Sequence, residues 1–467
     1  MNLVSELQRE IKGLVSNQDP DLQDASQDFG KIQLKKPAAI VRPSSSQDVV
    51  QAVRFALEHN LSLTTRGGAH SQSGQSLNEN GLILDIKSLN RIIDLDLQSQ
   101  TVLVEGGILW GDLVNALLPQ SLVPPVLTNN LNVTVSGTLS VAGLGVASHR
   151  YGTQADQCVE LEVVTGTGEV LGCSSEQNAE LFNAVRAGLG QFGIIVKARL
   201  RLRQARSHYR THFLLYDDLS QLMKDVRLVM EGERFDFIEA WAVPCPQGFR
   251  KTGMGRQPFA AWFFPLHLTE EFESTTATQS EDKLTGLAFY KKVHREEGPL
   301  QNFLYRLEDL FALWKRAGYW DASHPWVETV LPWQSAGPFI NQVLSQFPPH
   351  ALGGGHILLW PCRGTITKVP LFQTPESDFV MGFGVLPGVP KPFLAEALPR
   401  LSLLSDLSQN AGGKRYLSGW INFDLAKWQA HFGDYWESLI ELKSKYDPQG
   451  ILNPGFIPLS KTPPQQA

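Results

Sequence analysis

Residues 64–75 read TTRGGAHSQSGQ, three glycines grouped around one histidine, His70, and flanked by hydroxyl and amide side chains. Glycine reaches backbone angles that a Cβ resists and lets a ligand lie against the main chain. Two readings fit these residues. One is a cradle for a phosphate-bearing cofactor, built from consecutive amide N–H groups; the other is a plain surface turn. A second tract, TVSGTLSVAGLGVASHRYG at 134–152, again has almost no large side chain. Two such tracts in one region favour the cradle, because a turn needs only local glycines.

Gly188, Gly190 and Gly193 match the spacing G-x-G-x-x-G. A dinucleotide site of that type needs a strand before the glycines and a helix after them. Here NAELFNAVRAG reads as a helix before them and IIVKARLRLR alternates as a strand after them. The order is reversed, which argues against a nicotinamide site.

The elements that hold these loops are short strands alternating with helices from about Lys36. AAIV at 38–41 reads as a strand and 44–60 as a serine-capped helix with Val49, Val50, Val53 and Leu57 inward. Strands follow at 61–65, 82–86 and 101–107 and a helix at 109–118. The stretch 159–174 reads as a hairpin around TGTGE. His70 therefore sits on a loop directly after a strand, a common place for a binding residue. The first eighteen residues put Leu3, Leu7, Ile11 and Leu14 on one face of an amphipathic helix, expected to pack on the chain's own core.

Past Arg206 the character changes. Ten of the eleven tryptophans lie between Trp241 and Trp436, enough to line a pocket for a flat ligand as well as to fill a core. Strands at 235–243, 260–268, 356–361 and 378–386, with helices near 217–231, 301–315 and 392–409, suggest an α+β unit. The proline- and glutamine-rich tail 461–467 is expected to fray.

Taken together, GGAHSQSGQ, the tract at 134–170, LFNAVRAGLGQFGIIVKARL and the closing WQAHFGDYWESLIELKSKYDPQGILNPG resemble the vanillyl-alcohol oxidase type of flavoprotein, and more narrowly the cytokinin dehydrogenases. The resemblance covers 36–206 and 414–456 well and is patchy between them. It implies an α+β, two-domain PCMH-type FAD-binding fold with a second α+β, cytokinin-binding-like domain for substrate. The divisions it implies are an N-terminal segment 1–35, an FAD-binding domain 36–206, a substrate domain 207–413, and a segment 414–467 that returns to the FAD domain.

The resemblance also assigns roles. His70 matches the histidine joined covalently to FAD, with Arg66, Gly67, Gly68, Ala69, Ser71 and Gln75 on the loop around the pyrophosphate. Thr134, Ser140, Leu144 and Ile195 match further flavin contacts, and Tyr416 matches one near the ring. The family's proton-handling aspartate is Asn129 here, which also falls among the cofactor contacts. An amide carbonyl can orient an amine N–H but is no general base near neutral pH. Weak activity on cytokinins, or another substrate, is the expectation. Asp321, Glu328 and Glu239 are the acids that could approach, each more simply read as a surface or strand-end residue. Gly68 and Ala69 depart from the family's arginine and glycine, and Phe456 stands where a glutamine is usual.

The implied reaction oxidises, in an N6-isoprenoid adenine, the C–N bond to the isoprenoid group, giving adenine and an aldehyde, with oxygen or a quinone as electron acceptor. Oxidation of another alcohol, sugar or amine is the alternative. From a different class, a flavin- or purine-binding module without turnover also fits the loss of the aspartate. Bulk properties narrow the rest. A net charge of −6 without a Lys/Arg block argues against nucleic acid, and the apolar runs fall short of the about 18 residues of a membrane span. Four scattered cysteines without a C-x-x-C pair argue against a metal site or disulfide framework and suit a cytoplasmic protein.

Overall fold

The computed structural model describes residues 3–253, 255–273 and 280–459; the tail 461–467 lies outside them. The first sheet runs Leu14–Ser16, Ala39–Arg42, Leu82–Asp85, Leu63–Arg66 in spatial order, its last three strands parallel. Helix Ser46–Glu58 makes the crossover from Ala39–Arg42. Ser45 caps it, accepting from the Asp48 N–H, and its valines are buried.

The opening helix is shorter than expected. It spans Leu3–Glu10 and buries Leu7, with Ile11 just beyond it, in the same core as helix Ser46–Glu58. The chain then turns and runs as strand Leu14–Ser16, which leaves Leu14 55% exposed rather than on an apolar helical face. The cause is local. The Asp48 carboxylate accepts the N–H groups of Lys12 and Gly13 at 3.0 and 2.9 Å, which takes them from any helical ladder.

A second, antiparallel sheet has the order Ile92–Asp96, Thr101–Glu105, Ile194–Arg201, Cys158–Val164, Val170–Ser174. The last two strands are the expected hairpin; strand Ile92–Asp96, at the opposite edge beside Thr101–Glu105, was not expected. Helix Ala179–Val185 precedes the glycines at 188–193 and strand Ile194–Arg201 follows them, so the order is the reverse of a dinucleotide motif.

The larger half is built on one eight-stranded antiparallel sheet. Its order is Lys291–Pro299, His208–Tyr216, Gly255–Phe272, Phe237–Thr252, His356–Arg363, Phe379–Leu386, Val327–Pro332, Lys414–Arg415. Helices Leu219–Glu231, Trp333–Gln346 and Leu394–Asn410 cover one face around a core that includes Val226, Phe339, Ile340, Leu401 and Phe383. The helix expected near 301–315 is two, Leu300–Leu304 and Glu308–Arg316.

After Arg415 the chain goes back to the smaller sheets. Helices Leu425–Phe432 and Tyr435–Tyr446 place Trp428, Trp436 and Leu439 in the core of the second sheet. Leu452 bridges Leu63 in parallel. A buried ion pair, Lys443 with Asp447 at 2.8 Å, anchors this return. Lys443 also donates to the carbonyls of Gln191 and Leu452, and Asp447 accepts the N–H groups of Ile451 and Leu452.

Candidate active site

A cavity of about 490 Å³ lies between the halves, glycine-lined at one part and aromatic at another. The glycine part is made where loop 67–76 meets loop 128–146 and the turn at 189–195. Gly67 makes that approach possible, since a Cβ there would lie 2.2 Å from Thr134 Oγ1. Gly190, at φ +69, leaves equally little room, as a Cβ would come 2.7 Å from Asn453 Nδ2.

The histidine loop is braced by a segment the sequence did not single out, Asp28–Lys31. The Phe29 and Gly30 N–H groups donate to the carbonyls of Ala69 and Ser71 at 2.8 and 3.0 Å. Asp28 accepts from Ser71 Oγ and the Gly74 N–H. The Phe29 ring is stacked between two imidazoles, His70 on one side and His324 on the other, each with centroids 4.1 Å away. Trp320 and Trp326 meet its edges. On the far side of the strut, Lys31 Nζ donates to Trp320 O and the His324 N–H donates to Gly30 O.

His70 takes no hydrogen bond from any described residue. Burial, with His324 adding to it, holds its imidazole down to about 4, so at neutral pH the ring is uncharged and one nitrogen keeps its lone pair. Ala69 beside it has φ +52, a left-handed conformation unfavourable for a side chain with a Cβ.

At another wall Asn129, Glu239 and Arg306 close a polar ring. Asn129 donates from Nδ2 to Glu239 Oε1 at 3.2 Å, and Arg306 donates from Nη2 to both Asn129 Oδ1 at 2.9 Å and Glu239 Oε1 at 3.1 Å. Arg306 Nε takes the other carboxylate oxygen, Oε2, at 3.2 Å. The amide orientation follows from these partners, since only with its oxygen toward the guanidinium are both ends satisfied. Trp241, Trp314, Trp320, Trp326 and Trp360 line the same cavity.

A second carboxyl lines the same cavity. Glu328 follows Trp326 by two residues, and Ser418 Oγ donates to its Oε2 at 2.8 Å. Burial pushes the carboxyl up to about 7, against smaller opposing effects of Ser418 and Arg415. Tyr416, beside Ser418, is raised by burial and then by the Glu328 charge. Gln75 and Ser73 tie the histidine loop to this wall, through Gln75 Nε2 to Leu417 O and Ser73 Oγ to Gly419 O.

Of the residues singled out by sequence, Gly67, Gly68, Ala69, His70, Ser71 and Gln75 line the cavity from one loop. Asn129, Thr134, Ser140 and Leu144 line it from the next, and Ile195 and Tyr416 complete the set. Arg66 does not line it. Its guanidinium donates to Asp24 O at 3.0 Å. Among the three candidate acids, Asp321 is a surface residue 3.7 Å from Lys31, whereas Glu239 and Glu328 are buried cavity residues rather than surface acids. Phe456 packs edge-on against Trp428, and Asn453 lines the cavity instead. Arg306, Phe29, Gly190 and Gly193 were missed. Only the G-x-G-x-x-G spacing pointed to the last two.

The donor set fits a large phosphate-bearing cofactor. A bare cradle, an uncharged imidazole with no partner, and the buried and unpartnered Gln72 Oε1 beside it are all present. Among the described residues no cluster has the side chains to hold a metal ion, and no helix is long and apolar enough to cross a membrane.

Comparison with known proteins gives the same picture. Residues 37–174 match an FAD binding domain, and residues 207–457 match the family described as cytokinin dehydrogenase 1, FAD and cytokinin binding. An uncharacterised oxidoreductase from the fasciation locus of Rhodococcoides fascians is 31% identical, over 96% of this chain and 99% of that protein. Cytokinin dehydrogenase 7 of Oryza sativa subsp. japonica is 30% identical, over 92% and 88%. The fold is that of 6-hydroxy-D-nicotine oxidase from Arthrobacter nicotinovorans, with a TM-score of 0.69 at 20% identity, covering 94% of this chain and 96% of that one.

Proposed function

The chain belongs to the cytokinin dehydrogenase family of FAD-dependent oxidoreductases, and from that premise we propose that it slowly oxidises the C–N bond joining the isoprenoid group to an N6-isoprenoid adenine, with FAD joined to His70. The observation that carries this reading is that Asn129 and Glu239, held together by Arg306, line one cavity with five tryptophans and the His70 loop. FAD, held by the Gly67–His70 loop, would supply the oxidising power as a hydride acceptor.

The indole rings offer flat apolar faces for a purine and exclude water around it. Asn129 Oδ1 accepts from Arg306 and keeps one lone pair for the substrate N–H. It orients that N–H but cannot take its proton at neutral pH, so an isoprenoid adenine presented there is turned over slowly. The electron acceptor in this reading would be oxygen or a quinone. A second reading, oxidation of another amine or an alcohol, is favoured by the same amide, because it removes the base from the place where the family's aspartate stands.

The test is a visible spectrum of the purified holoprotein before and after acid precipitation, then anaerobic titration with isopentenyl adenine. A yellow pellet and slow bleaching are expected. Flavin left in the supernatant overturns the His70 link, and flavin that stays oxidised with isopentenyl adenine but bleaches with another amine or an alcohol overturns the substrate.

A further inference from the structure

Resting on the reading of the cavity as an amine- or alcohol-oxidising site, we propose that Glu328 takes the proton from the substrate N–H or O–H, and that preferred substrates are those whose donor reaches it. The other polar and titratable groups that line the cavity are poorly suited to that task. Asn129 is an amide. Glu239 has both oxygens engaged by Arg306 and one of them also by Asn129. Accepting a proton there would cost that ion pair. His70 belongs to the cofactor loop, and His356, held down to about 4 by burial, is a weak base.

Glu328 is placed differently. One oxygen accepts from Ser418, and the other accepts from no described residue although the side chain lines the cavity. It has no ion-pair partner among the described residues. The nearest cation, Arg415, is spent elsewhere: Nε donates to the Glu328 main-chain carbonyl, Nη1 to Ser405 Oγ and Nη2 to Trp420 O. The other groups packed on it are Tyr416 and Ser418 from the segment after Arg415, and Gly384 and Gly419, where added Cβ atoms would lie 3.4 Å from its Cγ and 3.5 Å from its Oε2. A carboxyl buried without a cation is costly unless a donor meets it. The cavity side is where that donor enters. Its proton equilibrium near neutrality suits a general base.

The step balances. The C–H bond next to nitrogen breaks with its electron pair leaving as hydride to the oxidised flavin, the N–H proton passes to Glu328, and a C=N bond forms. Water then adds to that bond, and the product splits into an amine and an aldehyde. With an alcohol the O–H proton takes the same route and a carbonyl forms.

The experiment measures flavin bleaching by anaerobic stopped flow, with the amine or alcohol that bleaches the unmodified holoenzyme fastest, across about pH 5–9. The expected result is a rate that rises with pH through a single group near 7. Glu328→Gln is expected to lower it about 10²- to 10⁴-fold and flatten the profile. A variant within about threefold of the unmodified rate and with the same profile overturns the proposal. Bleaching by alcohols alone overturns the amine reading and leaves this test intact. Should Glu328→Gln fail to hold flavin, or no substrate bleach the enzyme, infrared difference spectra of the unmodified holoenzyme decide. A protonated carboxyl band that titrates near pH 7 and shifts on adding adenine supports the proposal, and a band absent or insensitive to adenine overturns it.

Discussion

Replacing Glu328 by glutamine should change stability in a pH-dependent way that can be worked out in advance. The carboxyl is 8% exposed and rises from the ordinary 4.5 to about 7 in the folded protein. A group raised by folding adds stability that is complete below its unfolded value and is lost as the pH climbs through its folded value. At about 1.4 kcal/mol for each tenfold change in the proton equilibrium, the loss between about pH 4.5 and pH 8 is about 3 kcal/mol. Glutamine keeps the shape and never ionises. The variant should therefore match the unmodified protein at about pH 5 and exceed it by up to about 3 kcal/mol at about pH 8. In a unit of about 150–250 residues that is about 6–12 °C in Tm. Paired thermal melts of holoenzyme and variant at several pH values read this directly. A difference that stays constant with pH would refute the claim that this carboxyl is buried without a charge partner.

Three further outcomes are expected. Ala69→Gly removes a Cβ from a left-handed residue, which relieves about 1–2 kcal/mol of strain against about 0.5–1 kcal/mol of added backbone freedom, so urea denaturation should show a modest gain; a loss contradicts the inferred strain. Phe29→Ala empties the space between His70 and His324 and should cost about 3–5 kcal/mol and lower the acid-stable flavin fraction, whereas an unchanged fraction would show that stacking does not position His70. Asn129→Asp puts a base beside the substrate nitrogen and should speed flavin reduction by isopentenyl adenine at least about 10²-fold; an unchanged rate in stopped flow would show that the amide is not what slows it.

What was legible in the sequence was local. Gly67, Gly68 and His70 lie within a few residues of one another, so their small-residue pattern is visible without a fold. The helix–glycine–strand order at 179–201 could be read the same way, and it correctly excluded a nicotinamide motif. It also hid the fact that Gly190 and Gly193 still face the cavity, because facing is a property of packing. Arg306 could not be found from its surroundings, since its partners Asn129 and Glu239 lie 177 and 67 positions away. Glu239 and Glu328 carry no mark of burial in sequence; strand pairing between distant segments takes them out of water. Leu14 was misplaced for a related reason, as apolar spacing cannot reveal that Asp48 ends the helix early.

The parallel bridge between Leu63 and Leu452 sets a clock on biogenesis. At about 5–20 residues per second, roughly 20–80 s separate synthesis of the two, and throughout that interval the strand leading into the histidine loop lacks one neighbour. The Lys443–Asp447 pair that anchors the returning segment can form only once that segment has cleared the ribosomal tunnel, so it too closes late. Until then Asn453 is missing from the glycine-rich wall that it lines, so a chain cut short before this point would leave that wall incomplete.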